Sequence, residues 1–457
     1  MELIEKVTIP KKELLLIFLI IFCSYNLVTI TLLSGDTQPA GLLPFSILFE
    51  QSVVFNKFVN FYPIEGSANF VERNGQYVSF FPIVTPVLVV PLYVPEALLM
   101  GFGYVPFAPP FIGFMNKYCA GFITALGATI LYYTLFHLFG RKVSLILLFI
   151  YAFCTSAWSI FSQALWQHGT GALLLSGIIA LIFLNERENK RYYIIILGCF
   201  SGLFIMNRIS DSILLIPCII FILKYYRKQI LYYVIPLILT ASPFLVYNYT
   251  FFNSILGGYN SELQLFTINQ NILIHFFGLL FSPNRGLFVY TPILFFSIIG
   301  YYFLWKEKNK KFDNFLLWFG PVIILDILIY SSFTDWIGGW SYGPRYLSGF
   351  LPVFVIYLGI SINKILKSKT NLLYFLIMVL LGITIVLSFF IHLTGAFFYP
   401  YSDWNNSGYD AWSFGIEKSQ IITSFIEGSQ RVDSLGLFIY PPFSILFYDK
   451  NFHKIPP

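Results

Sequence analysis

From 372 to 395 the chain reads LLYFLIMVLLGITIVLSFFIHLTG, without one charged side chain. A segment this long and apolar has no low-energy place in a water-soluble globule, yet as one helix it spans the roughly 30 Å hydrocarbon core of a bilayer. Comparable runs recur along the 457 residues, which are 57% hydrophobic and only 11% charged. The chain is therefore read as an all-α integral membrane protein, because a helix satisfies its own backbone hydrogen bonds in lipid. The first run, 13 to 33, is too long for a cleavable signal peptide and no small-residue cleavage pattern follows it.

Charge placement orients these runs. Eighteen of the 28 Lys and Arg residues fall in six short segments: Lys6, Lys11, Lys12; Arg141, Lys142; Arg187, Lys190, Arg191; Lys224, Arg227, Lys228; Lys306, Lys308, Lys310, Lys311; and Lys364, Lys367, Lys369. The positive-inside rule makes these the cytoplasmic turns. Keeping them all on one side requires that the run 82 to 103, PIVTPVLVVPLYVPEALLMGFG, does not cross. Its prolines at 82, 86, 91 and 95 predict a broken helix on or in the outer surface. The crossing segments are then 13 to 33, 113 to 139, 143 to 160, 168 to 184, 192 to 206, 211 to 225, 231 to 252, 288 to 305, 313 to 332, 348 to 365 and 372 to 395. This topology puts the N-terminus in the cytoplasm of a multi-pass cell-membrane protein and the C-terminus outside. Residues 1–396 form the transmembrane unit, with a first outer loop over 34–112, and 397–457 a small tail packed on the membrane face.

The cytoplasmic connections are short and basic, whereas the outer face carries the first loop, a loop over 253–287, the stretch 334–347 and the tail. Binding and chemistry concentrate on such loops, so the working face is placed outside. Membrane lipids are expected partners and nucleic acid is not, the basic residues being distributed in membrane turns. The five cysteines, at 23, 119, 154, 199 and 218, lie within apolar runs without CxxC spacing and read as core side chains. No Gly-rich nucleotide motif, GxSxG or HExxH occurs.

Four cations sit at the outer ends of runs or in tight outer loops: Lys117, Arg208 in MNRISD, Arg285 in SPNRGLF and Arg345 in GGWSYGPRYL. Charges near hydrocarbon are costly unless paired. Each has two readings, a snorkelling cation among lipid headgroups or a partner for a phosphate that is not part of the protein. Asp36, in SGDTQPA, likewise reads either as a helix-boundary residue or as a carboxylate held at the membrane surface by an amphipathic continuation, GLLPFSILFE. His168, in ALWQHGTG, reads as a hydrogen-bonded structural residue or as part of a site.

Taken in order, the loop aspartate, FFPIVTPVLVVPLYVP, the lysine opening the second run, LWQHG, NRISD, SPNRGLFVYTP and WIGGWSYGPRYLSGFLP resemble the GT-C superfamily of polytopic glycosyltransferases. The nearest likeness is to its glycosyltransferase-39-like branch, related to protein O-mannosyltransferases and aminoarabinose transferases. The resemblance covers about 13–396. It implies a polyprenyl-phosphate-linked sugar as donor, transferred to an extracytoplasmic protein, lipid or glycan, with Asp36 as general base. Lys117, Arg208, Arg285 and Arg345 would bind the donor phosphate, Arg285 alternatively locking its loop, with Gln167, His168, Trp340 and Tyr342 lining the substrate pocket. Relatives often carry an acidic residue where Gln167 and His168 stand, and some an acidic pair where Asp36 is followed by Thr37. No metal ligands are assigned, and a divalent ion held by Asp36 stays open.

The competing class is a transporter or flippase of a lipid-linked sugar or another anionic amphiphile. It predicts ionisable groups at the bilayer midplane and pseudo-symmetric halves. A scaffold that only binds lipid is a third. The outer crowding of charge favours the enzyme, with Asp326 the main intramembrane exception.

Overall fold

The structure is a computed structural model that describes residues 9–27, 35–60, 62–101, 109–260, 271–367, 372–399 and 402–435. The end of the expected first span, the cluster member Lys369 and the tail after 435 lie outside the described residues.

Sixteen α-helices occupy the described residues. In the first part they are α1 (Lys11–Tyr25), α2 (Thr37–Glu50), α3 (Val84–Gly101), α4 (Pro109–Phe139), α5 (Arg141–Phe153), α6 (Gln167–Glu188), α7 (Arg191–Asn207) and α8 (Ile216–Tyr225). There follow α9 (Ile230–Phe252), α10 (Ile272–Phe281), the single turn α11 (Leu287–Tyr290), α12 (Phe295–Glu307), α13 (Lys311–Ser331), α14 (Leu351–Leu366), α15 (Leu372–Phe397) and α16 (Gln420–Leu435). The described strands form one antiparallel hairpin, β1 (Phe70–Arg73) with β2 (Gln76–Ser79), turned by Asn74 and Gly75, both at positive φ. The architecture is that of an all-α membrane protein.

Six of these helices are long and apolar enough to cross a membrane. Among them α6 is the most enclosed and α15 the most open, so α6 forms the axis on which the others pack. Small residues permit the closest contacts. A Cβ on Gly198 of α7 would lie 2.2 Å from the Tyr233 carbonyl oxygen on α9, and one on Gly300 of α12 would lie 1.7 Å from the Tyr357 carbonyl oxygen on α14. Between apolar helices that gain little from leaving lipid, such backbone approach supplies the association energy.

Several sequence expectations are corrected. The proline-rich run 84–101 is a continuous helix and one of the six with span-like length, not a broken segment. Pro86 falls in its first turn, where no intrahelical N–H is required, and Pro91 and Pro95 interrupt the ladder without ending the helix. The expected span 143 to 160 stops at Phe153 and turns into a single π-helical turn, Ala157–Phe161. Here the Thr155 hydroxyl bonds the Tyr151 carbonyl and receives the Ala157 N–H, drawing the backbone out of the α ladder. The span 211 to 225 begins as a 3-10 turn, Ile209–Leu215. The outer loop 253–287 contains α10, whose ten apolar residues are too few to signal a crossing. Finally, α2 is buried over most of its first half instead of presenting a polar face.

Gly300→Leu is expected to force α12 and α14 apart, costing about 1–3 kcal/mol or more. A thermal unfolding midpoint in detergent equal to wild type would show that the contact at Tyr357 carries no weight.

Candidate active site

Asp36 sits at the N-terminus of α2 but does not cap it. Its carboxylate instead accepts from Arg345 Nη1, at 3.0 Å to Oδ2 and 3.4 Å to Oδ1, across 309 positions of chain. Asn116 of α4 fixes this end of α2 by donating to the Thr37 carbonyl at 2.6 Å and accepting the Leu165 N–H at 2.6 Å. One buried amide thus ties the Asp36 segment to the chain that leads into α6.

Arg345 follows Gly343 and Pro344 and opens a 3-10 turn, Arg345–Ser348. Its guanidinium lies 4.5 Å from the Trp166 ring centroid and 5.6 Å from that of Tyr346. Burial works against the charge and the neighbouring Asp36 carboxylate works for it, leaving the Arg345 pKa raised. Its Nε is buried without a hydrogen-bond partner. So are Trp166 Nε1, in the ring it stacks on, and Gln167 Nε2, one residue further. A buried donor without an acceptor costs about 1–3 kcal/mol, so these groups have hydrogen-bonding capacity left for water or an oxygen-bearing ligand.

Arg208 adjoins this cluster. It leaves α7 in an extended conformation and donates from Nη1 to His168 Nδ1 at 2.8 Å and to Asp211 Oδ1 at 3.2 Å. The guanidinium is flanked by the Tyr330 and Tyr346 rings, at 5.2 and 5.3 Å. Because arginine only donates, His168 Nδ1 must accept, which leaves the imidazole neutral with its proton on Nε2. Tyr330 donates its hydroxyl to Asp211, and Tyr259 donates to Gln167 Oε1 at 2.9 Å. Tyr346 packs beside both arginines, so Asp36, Arg345, Arg208 and His168 form one polar cluster.

The other expected residues are placed differently. Lys117 is buried on α4 and donates to Gln163 Oε1 at 2.6 Å. Arg285 is fully enclosed and donates to the carbonyls of Ile337, Asn284 and Gly339 and to Gln420 Oε1. Tyr342 is buried, its hydroxyl on the Ile391 carbonyl at 2.8 Å, whereas Trp340 is 64% exposed. Asp335 lies near Arg345 and Arg285. Burial raises its pKa, and the field of Arg345, a backbone hydrogen bond from Gly339 and the field of Arg285 oppose that rise. Among the described residues no group of three or more His, Cys, Asp or Glu could hold a metal ion. Trp166 and Asn116 carry no signal in the sequence, whereas Asp211 is one of the few carboxylates available there to the four cations and pairs with Arg208.

No protein-family model and no curated protein sequence matches the chain. Solved structures do. The oligosaccharyltransferase of Archaeoglobus fulgidus in complex with Zn and sulfate aligns with a TM-score of 0.50 and 13% identity, over 94% of this chain and 57% of that one. The same enzyme tethered to an acceptor peptide aligns at 0.50 and 12%, over 84% and 55%. ArnT of Cupriavidus metallidurans bound to undecaprenyl phosphate aligns at 0.48 and 12%, over 93% and 76%. What these alignments establish is a shared helical membrane fold. More particularly, the chain is similar to the archaeal oligosaccharyltransferase while spanning little more than half its length.

Asp211→Ala leaves the Arg208 guanidinium buried beside a neutral imidazole. The loss is expected to be about 3–5 kcal/mol of stability. Thermal unfolding indistinguishable from wild type would mean that solvent or lipid already compensates Arg208.

Proposed function

We propose that the protein is an integral membrane glycosyltransferase that moves a sugar from a polyprenyl-phosphate-linked donor to an extracytoplasmic acceptor. The observation that carries this reading is the Asp36–Arg345 pair, surrounded by buried donors without acceptors. The fold shared with an oligosaccharyltransferase supports glycosyl transfer as the chemistry.

In this reading the donor phosphate displaces Asp36 from Arg345. Exchange of one oxyanion for another keeps the guanidinium paired and presents the unused Nε–H to a phosphate oxygen. Asp36, freed at the end of α2, accepts the proton of the acceptor hydroxyl as that oxygen bonds to the anomeric carbon. The bond from the anomeric carbon to the phosphate oxygen breaks, and its electron pair leaves with the lipid phosphate. Arg345 and Arg208 stabilise that growing charge in a low-dielectric setting, where fixed donors act most strongly. His168 orients Arg208, Gln167 and Trp166 add neutral donors, and Lys117 contributes from α4. Arg285 locks the 337–339 loop, and exposed Trp340 offers a ring face to the acceptor. The cluster opens outward, with the N-terminus cytoplasmic. Residues 1–396 carry the chemistry and the tail braces it.

Asp36→Asn should lower transfer of a radiolabelled sugar from a polyprenyl-phosphate donor by about 10²–10⁴-fold. Equal transfer by the two proteins would remove Asp36 from catalysis. Arg345→Ala should weaken polyprenyl phosphate binding by about tenfold or more. Unchanged binding would exclude it from the phosphate site. Movement of the intact donor between leaflets without sugar transfer would replace the enzyme by a flippase.

A further inference from the structure

The chain after α15 returns to the outer face and ends its described course in α16, whose first residue is Gln420. Gln420 is completely buried. Its side-chain oxygen lies 2.8 Å from Arg285 Nη1, 2.8 Å from the Tyr290 hydroxyl and 2.9 Å from the Gly343 backbone nitrogen. The side-chain nitrogen donates to the Ser341 carbonyl at 3.1 Å, and the backbone N–H donates to Asn284 Oδ1 at 2.9 Å. A neutral amide at the start of a tail helix thus holds both carbonyl and amide groups of the loop that ends at Arg345.

The loop's own backbone bonds are short-range, such as those from the Ser341 N–H to the Gly339 carbonyl and from the Arg345 N–H to the Gly343 carbonyl. Gly338, Gly339 and Gly343 all have positive φ, a region that costs glycine little and leaves it mobile when unconstrained. Gly343 is also pressed against the Tyr290 ring, where a Cβ would lie 2.5 Å from a ring carbon. Only Pro344 separates Gly343 from Arg345, which gives little slack, so rotation at Gly343 moves the guanidinium away from Asp36.

We infer that Gln420 is a positioning residue: it clamps the 338–345 loop and thereby sets Arg345 for the donor phosphate. The tail is part of the site's architecture although it supplies no reacting group. This rests on the proposed glycosyl transfer for its catalytic consequence but not for the clamp itself.

Two substitutions separate the hydrogen bonds from the packing. Gln420→Met keeps the volume and loses both the acceptor and the donor, whereas Gln420→Glu keeps the acceptor that meets Arg285, Tyr290 and Gly343 and loses only the donation to Ser341. Amide hydrogen exchange over 338–345 in the full chain reads the clamp directly, and the donor KM and kcat with a polyprenyl-phosphate sugar read its effect. Gln420→Met should exchange about tenfold faster in this segment and raise the donor KM by about tenfold, as expected for losing bonds that include a charged donor. Gln420→Glu should stay within about threefold of wild type in both, rescuing the site. Exchange in Gln420→Met as slow as in wild type, or the two variants changing alike with an unaltered donor KM, would overturn the inference. Faster exchange in the Met variant, with rescue by Glu, in a protein that transfers no sugar would uphold the clamp and defeat the glycosyltransferase reading instead.

Discussion

A guanidinium shut away from water must meet an anion or several carbonyls, and this requirement organises the loops around the cluster. At about 4 Å, opposite unit charges attract by roughly 4 kcal/mol in a partly buried setting, and removing one partner of such a pair costs about 3–5 kcal/mol. Helix packing alone gains little in lipid, so these pairings weigh heavily in deciding which loops approach which helix ends. Arg345 draws the segment after α13 to the start of α2, and Arg208 joins the end of α7 to α6 and α13 through His168, Asp211 and Tyr330. The long outer connections are thereby brought to one place.

Arg285 and Arg345 show how residues of one type diverge under this requirement. Around Arg285, backbone carbonyls and Gln420 occupy donors on all three guanidinium nitrogens. Its surroundings are complete, and an incoming phosphate would have to dismantle the loop to reach it. Arg345 has an exchangeable carboxylate on Nη1, an aromatic face beneath it and an Nε–H without an acceptor. Their local sequences, PNRG and GPRY, do not distinguish these cases. The difference lies in what the folded chain places around each head group.

The same distinction explains what could be read from the sequence. Asp36, Arg208 and Arg345 stood out because an isolated charge beside a membrane-length apolar run is costly wherever it lies, so its presence demands an explanation. Asn116, Trp166 and Gln420 are neutral residues of ordinary type, and their importance comes from partners 49 to 179 positions away. Helical architecture followed from composition, yet helix limits did not follow from hydropathy. Thr155 ends α5 through side-chain bonding to its own backbone, and α10 is apolar but only two to three turns long. Proline in the run 84–101 signalled a break because the rule weighs a missing N–H and neglects how packing of α3 on α2 and α4 can sustain the helix.

If Asp36 is the base and Arg345 the phosphate ligand of the proposed reaction, their ion pair sets the order of events. While Arg345 holds Asp36, the carboxylate is engaged by the cation and not by an acceptor's hydroxyl. In the proposed reaction a lipid phosphate, which carries the same kind of oxygen in greater number and fits the guanidinium at two nitrogens at once, would take the cation and keep the arginine paired, leaving the carboxylate to the acceptor hydroxyl. On that proposal, release of Asp36 would be coupled to arrival of the donor, and an acceptor or a water that enters first would meet an occupied base. The proposed exchange depends on Arg345 staying in place, and a loop with three glycines in left-handed conformation is held there by Arg285 and by the tail's buried amide.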